Sequence, residues 1–263
     1  MEIPSTLCSN VYDFAFCPEP CYDRLVDLAD PEDWGPGNRI LRNYLSFSFS
    51  RAVFLTERDV DQTAPSNLPL VFDDNRCLFN TGLYTRRYET IYGLFEPNTK
   101  PDARQRWFLK GFFKESDPML VSFEYLPCRV RFAEDPSELV FDYRLPIRSN
   151  IDHILGDEEN LTRIPASLMG EGNSLLLLRR AFEGAVVEAA RRAAANYTLA
   201  VPQFYGGRIQ LLLPLCLTGD KPELALTIQR EDGFYAARTC LTLDMAYNNA
   251  RLICRPETSW IKR

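Results

Sequence analysis

The stretch RIQLLLPLCLTGDKPELALTIQREDGFYAARTCLTLD, residues 208–244, decides the fold. Three strand-like runs, 208–217, 223–230 and 234–243, are separated by Gly219-Asp220 and Asp232-Gly233. Short apolar runs broken by Gly/Asp pairs predict an antiparallel meander, because these residues take tight-turn backbone angles at little steric cost. After the last run, Asp244 is expected to cap a short helix over 245–252. Before the first, Pro202 and Gly206-Gly207 punctuate NYTLAVPQFYGG, residues 196–207.

Working outward, residues 174–195 carry the clearest helical pattern. Leu178, Phe182, Ala185 and Ala189 recur at helical spacing, Ser174 is placed to cap the N-terminus, and Glu188 and Arg192 form an i,i+4 pair. A short helix is expected over 20–29. Another begins at 38–46, with Ile40, Leu41, Tyr44 and Leu45 on one face, but SFSFS at 46–50 alternates like a strand and leaves its end open. Residues 76–80, 83–95, 105–113 and 120–132 read as strands, with Thr81-Gly82 turning between the first two. The fold class is therefore α+β, a single domain of mixed or antiparallel sheets with a long helix and a C-terminal meander followed by a short helix. Breaks at 30–38, 61–69 and 164–174 are too short for flexible linkers. Residues 1–263 are read as one domain with two lobes, about 1–165 and 166–263, and no internal repeat is evident.

Composition narrows the function. With 46% hydrophobic and 25% charged residues, the chain can bury a core. No run approaches the roughly 18 apolar residues of a membrane span, and the N-terminal MEIPSTLCSN lacks a signal-peptide layout, so a soluble cytoplasmic protein is expected with no membrane partner. A net charge of −6 argues against indiscriminate phosphate-backbone binding but leaves room for a local basic groove. The eight cysteines are irregularly spaced and read as free thiols rather than bridges or a zinc site.

His153 is the single histidine, which removes two-histidine metal and paired-histidine chemistries. No glycine-rich phosphate loop or G-x-S-x-G elbow is present. Glu89, Glu96, Asp142 and Asp244 lie in or beside apolar runs and are the carboxylates that could meet Mg²⁺, the one cofactor considered; no metal ligand set is assigned. Uncharged polar and aromatic residues gather in FNTGLYTRRYETIY (79–92), FEPN (95–98) and NYTLAVPQFY (196–205). Amides can read a base edge and aromatic rings can stack on a base, and Arg87, Arg163 and Arg251 could meet phosphate. The candidate ligand residues are Asn80, Thr81, Tyr88, Asn98, Gln203, Tyr205, Asn248 and Arg251. Asn248 and Arg251 share a helix face, which is expected to line a pocket with Gln203, Tyr205 and the Asn80-Thr81 turn.

FNTGLYTRRYETIYGLFEPN, ANYTLAVPQFYGGRIQLLLPLCL and LTLDMAYNNARLICRPETSW, together with W-x-x-x-G-F at Trp107–Phe112 and the NIDHI segment, resemble the family termed domain of unknown function 3825. The resemblance runs from about residue 22 to the end. Similar domains occur fused to small RNA-binding modules, such as cold-shock and LOTUS-type winged-helix domains, so the resemblance implies a setting in RNA metabolism. Thr198 stands where that family leads one to expect a basic residue. The first expectation is an RNA- or nucleotide-binding domain, with phosphoester hydrolysis as its catalytic form. His153 would then be acid/base, Asp244 or Glu89 a base or metal ligand, and Arg251 the phosphate clamp. The alternatives are a non-catalytic protein/RNA interaction domain and an enzyme acting on a small nucleotide. No particular protein partner is indicated.

Overall fold

The computed structural model describes residues 7–73, 75–165, 168–169, 175–257 and 260–261. The Ser174 cap and part of the 164–174 break lie outside the described residues. The chain divides into two compact units, Met1–Val130 and Arg131–Arg263. The 164–174 break falls inside the second.

The first unit runs α1 (Val11–Phe14), β1 (Ala15–Phe16), α2 (Glu19–Leu28), α3 (Arg39–Asp59), β2 (Leu70–Phe72), β3 (Cys77–Tyr84), β4 (Thr90–Pro97) and β5 (Trp107–Lys114). Its mixed sheet has the order β1-β5-β4-β3-β2, antiparallel except that β1 pairs with β5 in parallel. α3 resolves the SFSFS ambiguity: the helix continues through it. Phe49 extends the buried stripe of Ile40, Leu41, Tyr44 and Leu45 toward Ala52, Val53 and Thr56, while Phe47 points outward at 59% exposure. Alternation over five residues was a coincidence on a 3.6-residue period. Phe49 packs its ring 4.9 Å from Phe14, 5.4 Å from Phe79 and 5.8 Å from Phe95, joining the helix to one sheet face.

Thr81-Gly82 is not a turn. β3 continues through it with a register irregularity, held by Gly82 N–H donating to Asn80 Oδ1 (2.9 Å) and Leu83 N–H to Thr81 Oγ1 (3.2 Å). The hairpin turn is Thr85–Glu89, where Thr85 N–H donates to Glu89 O and Tyr88 takes a φ of 61°. Residues 120–132 form no strand. Leu120, Phe123 and Leu126 instead lie against Val71, Leu78, Tyr92 and Leu94 and close the second sheet face. Their apolar periodicity serves a segment laid across a sheet rather than paired into one.

The second unit runs β6 (Ile147–Arg148), α4 (Ile151–Gly156), α5 (Glu158–Arg163), α6 (Leu175–Ala195), β7 (Val201–Tyr205), β8 (Arg208–Leu215), β9 (Leu224–Glu231), β10 (Phe234–Thr242) and α7 (Leu243–Arg251). The expected meander and long helix are there, and β7 extends the sheet to β6-β10-β9-β8-β7, with β6 parallel to β10. Leu211, Leu213, Leu215, Leu224, Leu226 and Ile228 form one core with Leu178, Phe182, Ala185 and Ala189 of α6. Thr242, not Asp244, caps α7: its Oγ1 accepts from Met245 N–H at 3.3 Å, and Asp244 lies in the first turn. No described helix is long and apolar enough to cross a membrane.

The two sheets repeat one topology. In each, a two-residue strand pairs in parallel with the last strand of a four-strand meander, and a 21-residue helix intervenes. Ala15 pairs with Trp107 and Phe16 with Phe108; Ile147 pairs with Tyr235 and Arg148 with Ala236. The pairing then skips Lys110 in β5 and Arg238 in β10, so the bulge falls at the equivalent place in both. The chain carries the same unit twice, and the equivalence lives in register rather than in residue identity.

Gly82 combines a φ of +69° with no room for a side chain, since an added Cβ would lie 2.6 Å from Tyr44 Oη. Tyr44 is buried and its hydroxyl donates to Thr81 O at 2.7 Å. Gly82→Ala is expected to lower unfolding free energy by about 2 kcal/mol or more in urea denaturation, and an unchanged midpoint would refute this account of the irregularity.

Candidate ligand-binding face

The β7–β8 hairpin sets the geometry. Gly206 and Gly207 both take positive φ, 57° and 80°, which closes a two-residue turn with Tyr205 opposite Arg208. Side chains alternate across a strand, so Tyr205 and Gln203 share the face opposite α6 with Arg208 and Gln210. Gln203 is paired directly with Gln210, and the Leu211–Ile228 register carries Gln210 toward Gln229 of β9.

The result is a row of amides across the sheet. Asn249 Nδ2 of α7 donates to Gln203 Oε1 (3.0 Å), Gln203 Nε2 to Gln210 Oε1 (2.8 Å), and Gln210 Nε2 to Gln229 Oε1 (3.4 Å). Gln229 Nε2 then donates to Glu231 Oε1 (3.1 Å), which also receives the guanidinium of Arg238 from the β10 bulge. Gln203 is 1% exposed, and Gln210 and Gln229 are 8% exposed. Every interior amide gives one N–H and accepts one, so the row runs in a single direction from helix to ion pair.

Beside the row the face opens to solvent. Tyr205 is 66% exposed, Arg208, Arg148 and Arg238 are exposed, and Phe234 is half-buried opposite Glu231. The Arg148 guanidinium stacks 4.2 Å from the Phe234 ring centroid. An exposed tyrosine, a stacked arginine–phenylalanine pair and further arginines thus edge a row of carboxamides. That set can stack on planar rings, hydrogen-bond their edges and attract anions.

The residues expected from sequence are distributed as follows. Gln203 and Tyr205 lie together on this face, and α7 reaches it through Asn249 rather than Asn248. Asn248 Nδ2 turns back to Asp244 O (3.0 Å), and its Oδ1 is buried without a hydrogen-bond partner among the described residues. Arg251 is buried in α7, and Asp244 is exposed at its start. His153 is exposed on α4, its backbone N–H donating to the cap residue Asn150. Arg163 ties α5 to β10 by donating to Cys240 O (2.8 Å) and Asn160 Oδ1 (3.0 Å).

The remaining candidates, Asp142 of the second unit excepted, belong to the first unit and sit in three places. Asn80 Nδ2 donates to Pro127 O and Thr81 Oγ1 to Ile91 O, so both are engaged within the strand irregularity. Tyr88 is 83% exposed in the β3–β4 turn, next to Arg87. Asn98 shapes the turn after β4, accepting from Lys100 N–H. Glu89 is held below the ordinary carboxylate range by hydrogen bonds from Ser116 and then Lys114. Asp142 is pulled down to about 2 by Arg144, and Glu96 pairs with Lys110 at 3.2 Å. Among the described residues, no three or more His, Cys, Asp or Glu side chains cluster as metal ligands. None of the eight cysteines is in a disulfide, and burial pushes the Cys240 thiol up to about 12.

Gln210, Gln229, Phe234, Arg148 and Arg238 were not singled out from sequence, and Asn249, noticed beside Asn248, was passed over because the two lie about 100° apart on a helix. A signal existed: each glutamine sits within an otherwise apolar strand at the parity opposite the core leucines.

Residues 25–260 match the family described as Domain of unknown function (DUF3825), and the chain belongs to that family. No curated protein and no solved structure matches it significantly.

Gln203→Leu would leave Gln210 Oε1 and Asn249 Nδ2 without their partner inside a buried row. It is expected to lower stability by about 1–3 kcal/mol, whereas Tyr205→Ala should stay within about 0.5 kcal/mol. Urea denaturation of the two variants checks the contrast, and equal effects would mean that the row is not a cooperative unit.

Proposed function

We propose that the chain is a cytoplasmic RNA-binding domain that holds single-stranded RNA on the second unit's sheet face. The observation that carries this reading is the aromatic–arginine rim beside the buried amide row. Bases stack on Tyr205 and on the Arg148–Phe234 pair, which is sequence-tolerant because every base has a π-face. Arg208, which has no carboxylate partner among the described residues, meets the phosphates. The buried amide row fixes the strands that carry this rim.

Comparison of the two copies supports it. In the first sheet the corresponding face is apolar, Val71, Leu78, Tyr92 and Leu94, and is sealed by the 118–126 segment. In the second, that face carries glutamines. Charge divides the same way: residues 1–130 hold 14 basic and 19 acidic residues, residues 131–263 hold 16 and 17. The acidic excess that would repel phosphate therefore sits mostly in the first unit. The proposal is one of binding, without a chemical step.

Fluorescence anisotropy with a labelled single-stranded RNA of about ten nucleotides tests it, since such surfaces hold several nucleotides at once. Tyr205→Ala should weaken binding by about 5- to 100-fold, and Arg208→Glu should also flatten the log–log salt dependence by about one unit. Binding that ignores both substitutions, or none at tens-of-micromolar protein in low salt, would sink the proposal.

A further inference from the structure

α6 has an outer face as well as a core face, and the outer face is built unlike an ordinary solvated one. Leu176, Leu177 and Val187 are each at least half exposed. Gly184 interrupts an alanine-rich helix in its middle, where glycine is among the least favourable residues. An added Cβ there would meet nothing within 4 Å, so the chain itself supplies no packing reason for glycine. A shallow depression over Gly184 is lined by Arg180, Glu183, Val187, Glu188 and Arg191. Glu183 pairs with Arg179 and Glu188 with Arg192, while Arg180 and Arg191 have no carboxylate partner among the described residues.

We infer that this face is a two-fold docking surface for a second copy of the chain, with the two α6 helices antiparallel and crossing at Gly184. Residues that precede and follow a crossing point by equal spacing meet across a two-fold axis. Through Gly184, that places Arg180 against the partner's Glu188, and Leu177 against the aliphatic stem of the partner's Arg191. Both contacts occur twice. The positions 177, 180, 184, 188 and 191 form one helical stripe, symmetric about the glycine. A parallel arrangement would set Arg180 on Arg180 and Glu188 on Glu188, and a crossing one residue and a half further on would do the same with Arg180–Arg191 and Glu183–Glu188. Charge therefore selects both direction and register. Glycine at the crossing lets the two backbones approach closely, which accounts for its presence on an open face. α6 packs on the sheet face opposite the amide row, so docking leaves that row and its rim uncovered.

Sedimentation equilibrium from micromolar to hundreds-of-micromolar protein should show a monomer–dimer equilibrium. Gly184→Leu should abolish the dimer without lowering the thermal midpoint measured on dilute monomer, because the monomer has space for the side chain. Arg180→Glu should raise the dimer dissociation constant about tenfold or more, and adding Glu188→Arg to it should restore the constant to within about threefold of the original. A protein monomeric at every concentration, or a dimer indifferent to Gly184→Leu and to the charge exchange, would overturn the inference.

Discussion

A four-strand meander has two faces, and one long helix can cover only one of them. Everything else in each half of this chain follows from how the second face is handled. The first face is settled alike in both halves: a 21-residue helix lays an apolar stripe on it. The second is then closed by whatever follows the last strand. In the first unit that is an irregular apolar segment, and the strands beneath it supply Val71, Leu78, Tyr92 and Leu94. In the second it is α7, whose Asn249 meets Gln203 at the end of the amide row. A sheet that could have been sealed with leucines carries amides, although a buried amide is tolerated only when it is hydrogen-bonded.

The row satisfies that condition by being continuous. Removing one member strands two others, so its stability is collective and its parts are not interchangeable. A continuous polar row on a sheet also orients what borders it. Tyr205 and Gln203 are two residues apart on one strand, Arg208 and Gln210 likewise on the next, so fixing the amides fixes the rim. The aromatic and basic side chains are thereby held on regular strands rather than on loops, which makes a precise surface from ordinary alternation.

Much of this was legible in the sequence, and the failures share a cause. The meander, α6 and its buried Leu178, Phe182, Ala185 and Ala189 could be read directly, because local periodicity and Gly/Asp turns determine them. The same local logic misread SFSFS, Thr81-Gly82 and 120–132, where tertiary packing decides between equally plausible patterns. Gln203 and Tyr205 stood out because they lie in a conspicuous polar cluster. Gln210 and Gln229 did not, because isolated glutamines in apolar strands gain meaning only once the register aligns them. Asn249 and Asn248 illustrate the limit of a helical wheel: it states that the two point about 100° apart but not which one faces the sheet.

The duplicated topology sharpens the division of labour among the arginines. The residue skipped at the bulge is basic in both halves, Lys110 and Arg238, and in both it reaches a glutamate on the neighbouring strand, Glu96 and Glu231. A feature that recurs where one face is sealed and the other is polar serves what the halves have in common, the bulge itself. Arg238 is thus first a bulge residue whose charge is already met by Glu231. Arg148 lies in β6, whose counterpart β1 has Phe16 at the matching position, and the register counterpart of Arg208 in the first unit is Arg76, whose charge is already met by Asp73. Neither Arg148 nor Arg208 meets a carboxylate among the described residues, whereas Arg76 and Arg238 both do, so the anion-attracting capacity of the surface rests on Arg148 and Arg208 rather than on Arg238.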